Sequence, residues 1–424
     1  MNERTYLREL AKQQAEIAAL PIMERRLKKW YALNNAELDT PLVTVEFNGP
    51  AEEVFPPLKC ESPLARELET QMIRHIYNHL LLGDDRVIPP YVTFNIPNWI
   101  VPFGIRIERT QARYSDGRPS MGYLLHYVID DLQNDFGKLK ETETFVDAGL
   151  KESLKKQAEI EELLGGVLPV KIQFRSFVVS IGNVILQLMG MENMLTALYD
   201  YPDLFHRMMN TLTEDYLRYM NAIESSGAML YNNDGSWLGQ GSWGYTNRLP
   251  GEGKNSTGTG KHGDRSINFA DVWGYTNSQE TVGISPGMFD EFFFSYMEKI
   301  TRLFGLLSYG CCEPVDGLWD RCLSRLTNLR KISVSPWCNE EALAEKIRGK
   351  KIVYHRKPSP NFIAVDSVFN EKAFAEHIAK SVKAAAGCPL EITFREELTV
   401  RGEPWRLTLA VEIVREQIER HYRT

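Results

Sequence analysis

The sequence predicts an α/β fold: a (β/α)8 TIM barrel with an N-terminal helical extension and a long insertion rich in glycine and aromatic residues. Three observations carry this expectation. From residue 42 onward the chain holds eight short apolar, strand-like runs, mostly separated by helix-period patterns. At 424 residues it is long enough for one elaborated barrel. The run Leu306-Leu-Ser-Tyr-Gly-Cys-Cys-Glu-Pro314 breaks from an apolar stretch at a glycine into two cysteines and a glutamate, which is the pattern of a buried parallel strand opening into a reactive turn.

Residues 1–40 read as a helical cap, with Leu7, Leu10 and Ala11 and then Ile22, Leu27, Trp30 and Tyr31 at helical spacing. The barrel is expected over 41–424. Leu42–Phe47 is its first strand, stopped by Asn48-Gly49-Pro50. The helix Pro63–Leu82 carries His75 and His79 four residues apart. Without a third ligand in the pattern they read as part of a solvated face. Strands follow at Arg86–Phe94, whose prolines make it irregular, and at Leu168–Phe174. Helices at 181–198 and 202–225 lead to a strand at Ala228–Tyr231 and the polar turn Asn232–Ser236.

Over 237–283 frequent glycines discourage regular structure while tryptophan and tyrosine recur, so the stretch is expected to be a lid-like insertion over the barrel mouth. Within it Trp243-Gly-Tyr-Thr-Asn247 is repeated as Trp273-Gly-Tyr-Thr-Asn277. After Leu306–Tyr309, a helix burying Leu318, Cys322 and Leu326 makes Cys322 structural. The remainder alternates: strands at Leu329–Pro336, Lys351–Arg356 and Leu390–Phe394, with helices between them and a closing helix from Pro404 to His421.

Composition narrows the function classes. The hydrophobic content is 43% and the formal net charge −7, with no basic run, which argues against nucleic acid and anionic membranes as partners. No apolar run approaches the roughly 20 residues of a membrane span, and the charged N-terminus lacks a signal-peptide core; the expected location is cytoplasmic. Six scattered cysteines, two of them adjacent, read as reduced thiols.

In a barrel, polar residues just after each strand face one pocket. The expected metal ligands there are Cys311 and Cys312, soft donors suited to zinc, with a nucleophile next to an acid as the other use of two thiols beside a carboxylate. Asp234, Glu313, His355 and Glu396 are the candidate catalytic groups, and Glu46, Arg175, Asn233, Trp237, Tyr309 and Lys357 the candidate substrate contacts. A metal-free alternative uses Arg175, Arg356 and Lys357 to hold an anion while Asp234 or Glu396 moves a proton.

Over roughly residues 190–420 the order of motifs resembles the uroporphyrinogen decarboxylase-like superfamily of TIM barrels, which includes corrinoid-dependent methyltransferases. The similar segments are Ala228-Met-Leu-Tyr-Asn-Asn-Asp-Gly235, Ser285-Pro-Gly-Met-Phe-Asp-Glu-Phe292, and Tyr309-Gly-Cys-Cys312, placed where the methyltransferase branch has its H-x-C-G zinc motif. The arginine-rich R-Q-A-G-R signature of true uroporphyrinogen decarboxylases is absent. Tyr309 stands where the zinc histidine would be, and Arg395-Glu396-Glu397 replaces the second cysteine.

The resemblance implies a zinc-dependent methyltransferase that passes a methyl group from a small, possibly aromatic, donor to a corrinoid on a partner protein. Cys311 would be a zinc ligand, joined by Cys312, Glu313, His355 or Glu396. The competing readings are a metal-free decarboxylase or lyase of a small carboxylic acid, and a barrel that binds a small molecule without turnover.

Overall fold

The computed structural model describes residues 2–38, 40–96, 100–113, 117, 119–141, 149–174, 177–250, 261–262 and 265–422. Its strands, in chain order, are β1 (Leu42–Phe47), β2 (Val92–Ile96), β3 (Arg109–Arg113), β4 (Pro119–Leu125), β5 (Val170–Phe174), β6 (Phe177–Val179), β7 (Trp237–Gly239), β8 (Ser242–Trp243), β9 (Lys261–His262), β10 (Arg265–Ser266), β11 (Trp273–Thr276), β12 (Leu306–Tyr309), β13 (Leu329–Val334), β14 (Val353–Arg356) and β15 (Leu390–Glu397). The core is one parallel sheet of seven strands in the order β1-β15-β14-β13-β12-β11-β6. It curls, because inward side chains from strands as far apart in it as β1, β15, β14 and β12 meet on one central hairpin, described below. The architecture is α/β and barrel-like.

Among the described residues the sheet has seven strands and the expected eight-stranded closure is not seen. β2 pairs with β5 in a separate parallel ladder, and among the described residues no ladder joins β2 to β1. Both free edges are capped instead. Asp85 and Asp84 accept from the Val43 and Val45 amides, each at 2.9 Å, and Arg86 Nη2 donates to the Val45 carbonyl at 2.9 Å. The Gln71 amide accepts from Thr93 N at 2.7 Å and donates to Thr93 O at 2.8 Å, taking the place of a neighbouring strand. A seam therefore remains between β1 and β2.

Two further expectations are corrected. Ala228–Tyr231 is buried but forms no ladder. The strand position belongs to β11, the second copy of the repeat, which lies inside the stretch expected to be a lid-like insertion; Gly274 is tolerated there because Phe304 packs where a Cβ would stand. After β12 the chain makes 3-10 turns at Asp316–Leu318 and Leu323–Arg325 where a helix was expected, although Cys322 is fully buried as anticipated.

The N-terminal residues form helices α1 (Glu3–Ala18) and α2 (Pro21–Asn34). α1 packs on α3 (Pro63–Tyr77). α2 covers the end of the sheet where the strands begin: Asn34 Nδ2 donates to the Trp243 carbonyl at 2.8 Å, Arg330 Nη1 donates to the Asn34 carbonyl at 2.7 Å, and the Lys331 ammonium lies 5.2 Å from the Trp30 ring centre. No helix among the described residues is long and apolar enough to cross a membrane.

The inside of the curl is filled by the β7–β8 hairpin, which is threaded along the strand direction. Its turn residue Gln240 has a left-handed φ of 55° and is flanked by Gly239 and Gly241. Ser242 reaches the layer near the strand starts, where the buried ion pair of Lys331 with Glu391 (2.8 Å) also holds its hydroxyl. Gly241 lies in the middle layer against Thr44 and Thr393. Gln240 emerges at the strand ends. Three stacked layers of inward side chains thus wrap one hairpin.

Candidate active site at the strand ends

Gly310, at φ 99°, turns the chain out of β12 with Ser333 close to where a Cβ would stand, so the two cysteines follow immediately. Cys311 is buried and Cys312 exposed, with their sulfurs 3.4 Å apart. The Gln240 amide oxygen is the hub: it accepts from the Cys311 thiol at 3.1 Å, from Lys357 Nζ at 3.1 Å, and from Arg395 Nη1. Arg395 Nε in turn donates to Glu46 at 2.6 Å, and the other Glu46 oxygen accepts from the Trp237 indole at 3.0 Å. The mouth gathers thiols, two cations and one carboxylate around a single amide.

The electrostatics follow from burial and proximity. Burial, partly opposed by the two thiols, brings Lys357 down to about 8. The contact with the Cys311 sulfur lowers the Cys312 thiol to about 7 against the opposing effect of burial, with help from the Lys357 charge. The same contact and burial raise Cys311. Cys312 is therefore the sulfur that carries charge near neutrality.

Glu313 is buried with both oxygens engaged: one accepts from Ser278 N at 2.9 Å, the other from Cys311 N at 2.8 Å. It braces the cysteine turn, and burial raises its pKa. His355 lies one layer below Lys357, 2.9 Å from the Thr393 hydroxyl and 3.7 Å from Glu391; burial and then the Lys357, Lys331 and Arg395 charges keep it neutral. Glu396, half-exposed at φ 65°, stands on the rim with a carboxylate oxygen 3.6 Å from Arg395.

The structure separates the remaining candidates from this group. Tyr309 faces the helix layer, bonded at 2.6 Å to the Ser278 hydroxyl, because it shares register with Ile332 and Thr276 while Ser308 and Lys331 face inward. Asn233 and Asp234 lie at the opposite end of the sheet. Asn233 donates to the carbonyl of Asp271 at 2.8 Å, just before β11, and Asp234 pairs with Lys171 near the start of β5. With no strand at 228–231, the turn after it does not open at the mouth. Arg175 lies outside the described residues.

Gln240 and Tyr275 were not anticipated. The Gly239-Gln240-Gly241 spacing was the available signal for a turn, but nothing in it showed that the turn would enter the barrel. The Tyr275 hydroxyl donates to the Gly310 carbonyl at 3.2 Å. With Trp237, Gln240, Phe177, Asn183 and Arg109 it lines a cavity of 460 Å³ that reaches Gln240, the partner of the Cys311 thiol, and is large enough for a small molecule.

Zinc takes four ligands drawn mainly from Cys, His, Asp and Glu. Cys311 and Cys312 supply two sulfurs, Glu313 is spent on backbone amides, and His355 is held a layer below. Among the described residues no group of three or more His, Cys, Asp or Glu could hold a metal ion. Two sulfurs without a third such donor fall short of a four-ligand zinc site among the described residues.

No family model matches the chain, and no curated protein does. Among solved structures it is similar to a methyltransferase from Methanosarcina mazei, with 13% sequence identity, a TM-score of 0.48, and coverage of 93% of this chain and 99% of that one.

Proposed function

We propose that the protein is a methyltransferase-type enzyme that takes a methyl group from a small donor bound at this mouth. The observation that carries the reading is the thiol pair: exposed Cys312 lies 3.4 Å from Cys311, a contact that together with the Lys357 charge lowers its pKa to about 7. A thiolate with such a pKa is both populated and nucleophilic at neutral pH. Its sulfur attacks the methyl carbon. The bond from that carbon to the donor's oxygen, nitrogen or sulfur breaks, the electron pair leaves on the heteroatom, and Lys357 supplies the proton that neutralises it. Arg395 holds an anionic portion of the donor, and Trp237 and Tyr275 face its apolar portion in the 460 Å³ cavity.

The order of sequence motifs supports a finer form, with zinc at the cysteines and a corrinoid on a partner protein as final acceptor. Because the ligand set does not fit the metal, no step is assigned to it. The test is peptide mass spectrometry after incubation with methoxybenzoates, methylthio acids and methylamines, with iodomethane as a generic donor. The expected result is one added methyl on Cys312 from at least one natural-type donor, lost in Cys312→Ser. Methylation by iodomethane of other cysteines in preference to Cys312 would contradict the proposal.

A second reading has its own observation. Lys357, buried and lowered to about 8 at the end of β14, is suited to imine formation in a lyase or decarboxylase of a small carboxylic acid. Of the proton donors considered for such a reaction, Glu396 is at the rim and Asp234 is not. Borohydride trapping of acetoacetate on Lys357, without methylation of Cys312, would favour this reading.

A further inference from the structure

We infer that the seam between β1 and β2 is a binding site for a small organic carboxylate, separate from the reaction proposed at Cys312. The seam encloses a cavity of 380 Å³, walled by Arg86, His75, Ser236, Trp237, Trp243 and Tyr245 among others. His75, expected on a solvated face, points its chemistry here.

Four buried polar atoms on the cavity-lining residues have no hydrogen-bond partner among the described residues: Arg86 Nε, Trp243 Nε1, Ser236 Oγ and His75 Nδ1. The first two can only donate, the hydroxyl can donate, and the neutral imidazole can donate through Nδ1. Buried donors left unpaired are costly, and four around one cavity call for a ligand that presents acceptor oxygens.

Charge points the same way. Arg86 has one guanidinium nitrogen on the Val45 carbonyl, lies 5.2 Å from the Trp243 ring centre, and has no carboxylate within ion-pair distance among the described residues. The carboxylate in the wall, Glu46, is already held by Trp237 and Arg395. An anion entering the cavity would meet an unneutralised guanidinium set among donors, while Trp237, Trp243 and Tyr245 offer flat apolar surface to its body. Both strand edges are already capped by Gln71, Asp84 and Asp85, so the donors are not waiting for a missing strand.

The test is titration of the full chain with benzoate, succinate and inorganic phosphate, followed by calorimetry and by the fluorescence of the lining tryptophans. Saturable binding of benzoate or succinate is expected. Arg86→Gln should weaken it roughly tenfold or more by removing a charge-assisted donor. Trp243→Phe, which keeps a ring and deletes the indole N–H, should weaken it by a smaller factor, while Cys312→Ser and the surface change Arg420→Gln should leave it unchanged. Circular dichroism melting of each variant separates lost binding from lost fold. Absence of saturable binding, binding that a folded Arg86→Gln variant retains in full, or binding of phosphate but of neither carboxylate would each overturn the assignment.

Discussion

At the scale of single residues, the mouth is organised around one amide oxygen and two neighbouring sulfurs. Lys357 lowers the Cys312 thiol through its charge, so Lys357→Met should raise that thiol by about one pH unit. Thiolate ultraviolet absorbance followed through a pH titration checks this. Glu313→Ala should remove the acceptor for two buried amides at Ser278 and Cys311 and cost about 2–4 kcal/mol in urea unfolding. Cys311, Cys312, Lys357 and Glu46 could be placed at the strand ends from the sequence because each follows or ends an apolar strand run. Tyr309 was misplaced because an aromatic at a strand end can face either layer, and only the register with β11 and β13 decides which.

At the scale of elements, the hairpin Trp237–Trp243 is what turns a curled sheet into a site. Gly241 has φ 77°, and a Cβ there would collide with the Thr393 methyl group. Gly241→Ala should therefore cost at least about 2 kcal/mol and weaken the Gln240 contacts with Lys357 and Cys311. Chemical denaturation and the reactivity of Cys312 report the two effects separately. Lys331→Met leaves Glu391 buried with its ammonium partner removed, and should destabilise by about 3–5 kcal/mol. Six strands, β1, β5, β12, β13, β14 and β15, could be read from short apolar runs, and the start of β2 from the irregular run Arg86–Phe94. β11 could not, since Trp-Gly-Tyr-Thr has a glycine where strand patterns are weakest, and Ala228–Tyr231 has strand composition without a strand neighbour. Composition alone does not say that a glycine-rich hairpin will fill a barrel interior.

At the scale of the whole molecule, stability and reactivity should respond to pH in different ranges. Burial lowers His377 to about 4 and His75 to about 3, from an ordinary value of 6.5, and holds His355 well below it. The unfolded chain then binds more protons than the folded one below about 6.5, so stability present above that pH is lost progressively as pH falls toward the folded-state values. Urea midpoints measured between neutrality and about pH 4 should decline, and His377→Gln should shallow the decline. Reactivity belongs to the mouth, and the most direct measurement there is the rate of iodoacetamide alkylation of each cysteine in the native protein, resolved by peptide mass spectrometry across pH. Cys312 should react first, with a midpoint near 7, while buried Cys311, Cys322 and Cys388 lag behind. A Cys312 midpoint at or above the ordinary thiol value of 9, or reaction no faster than at the buried cysteines, would contradict the claim that this thiol pair is the chemical centre.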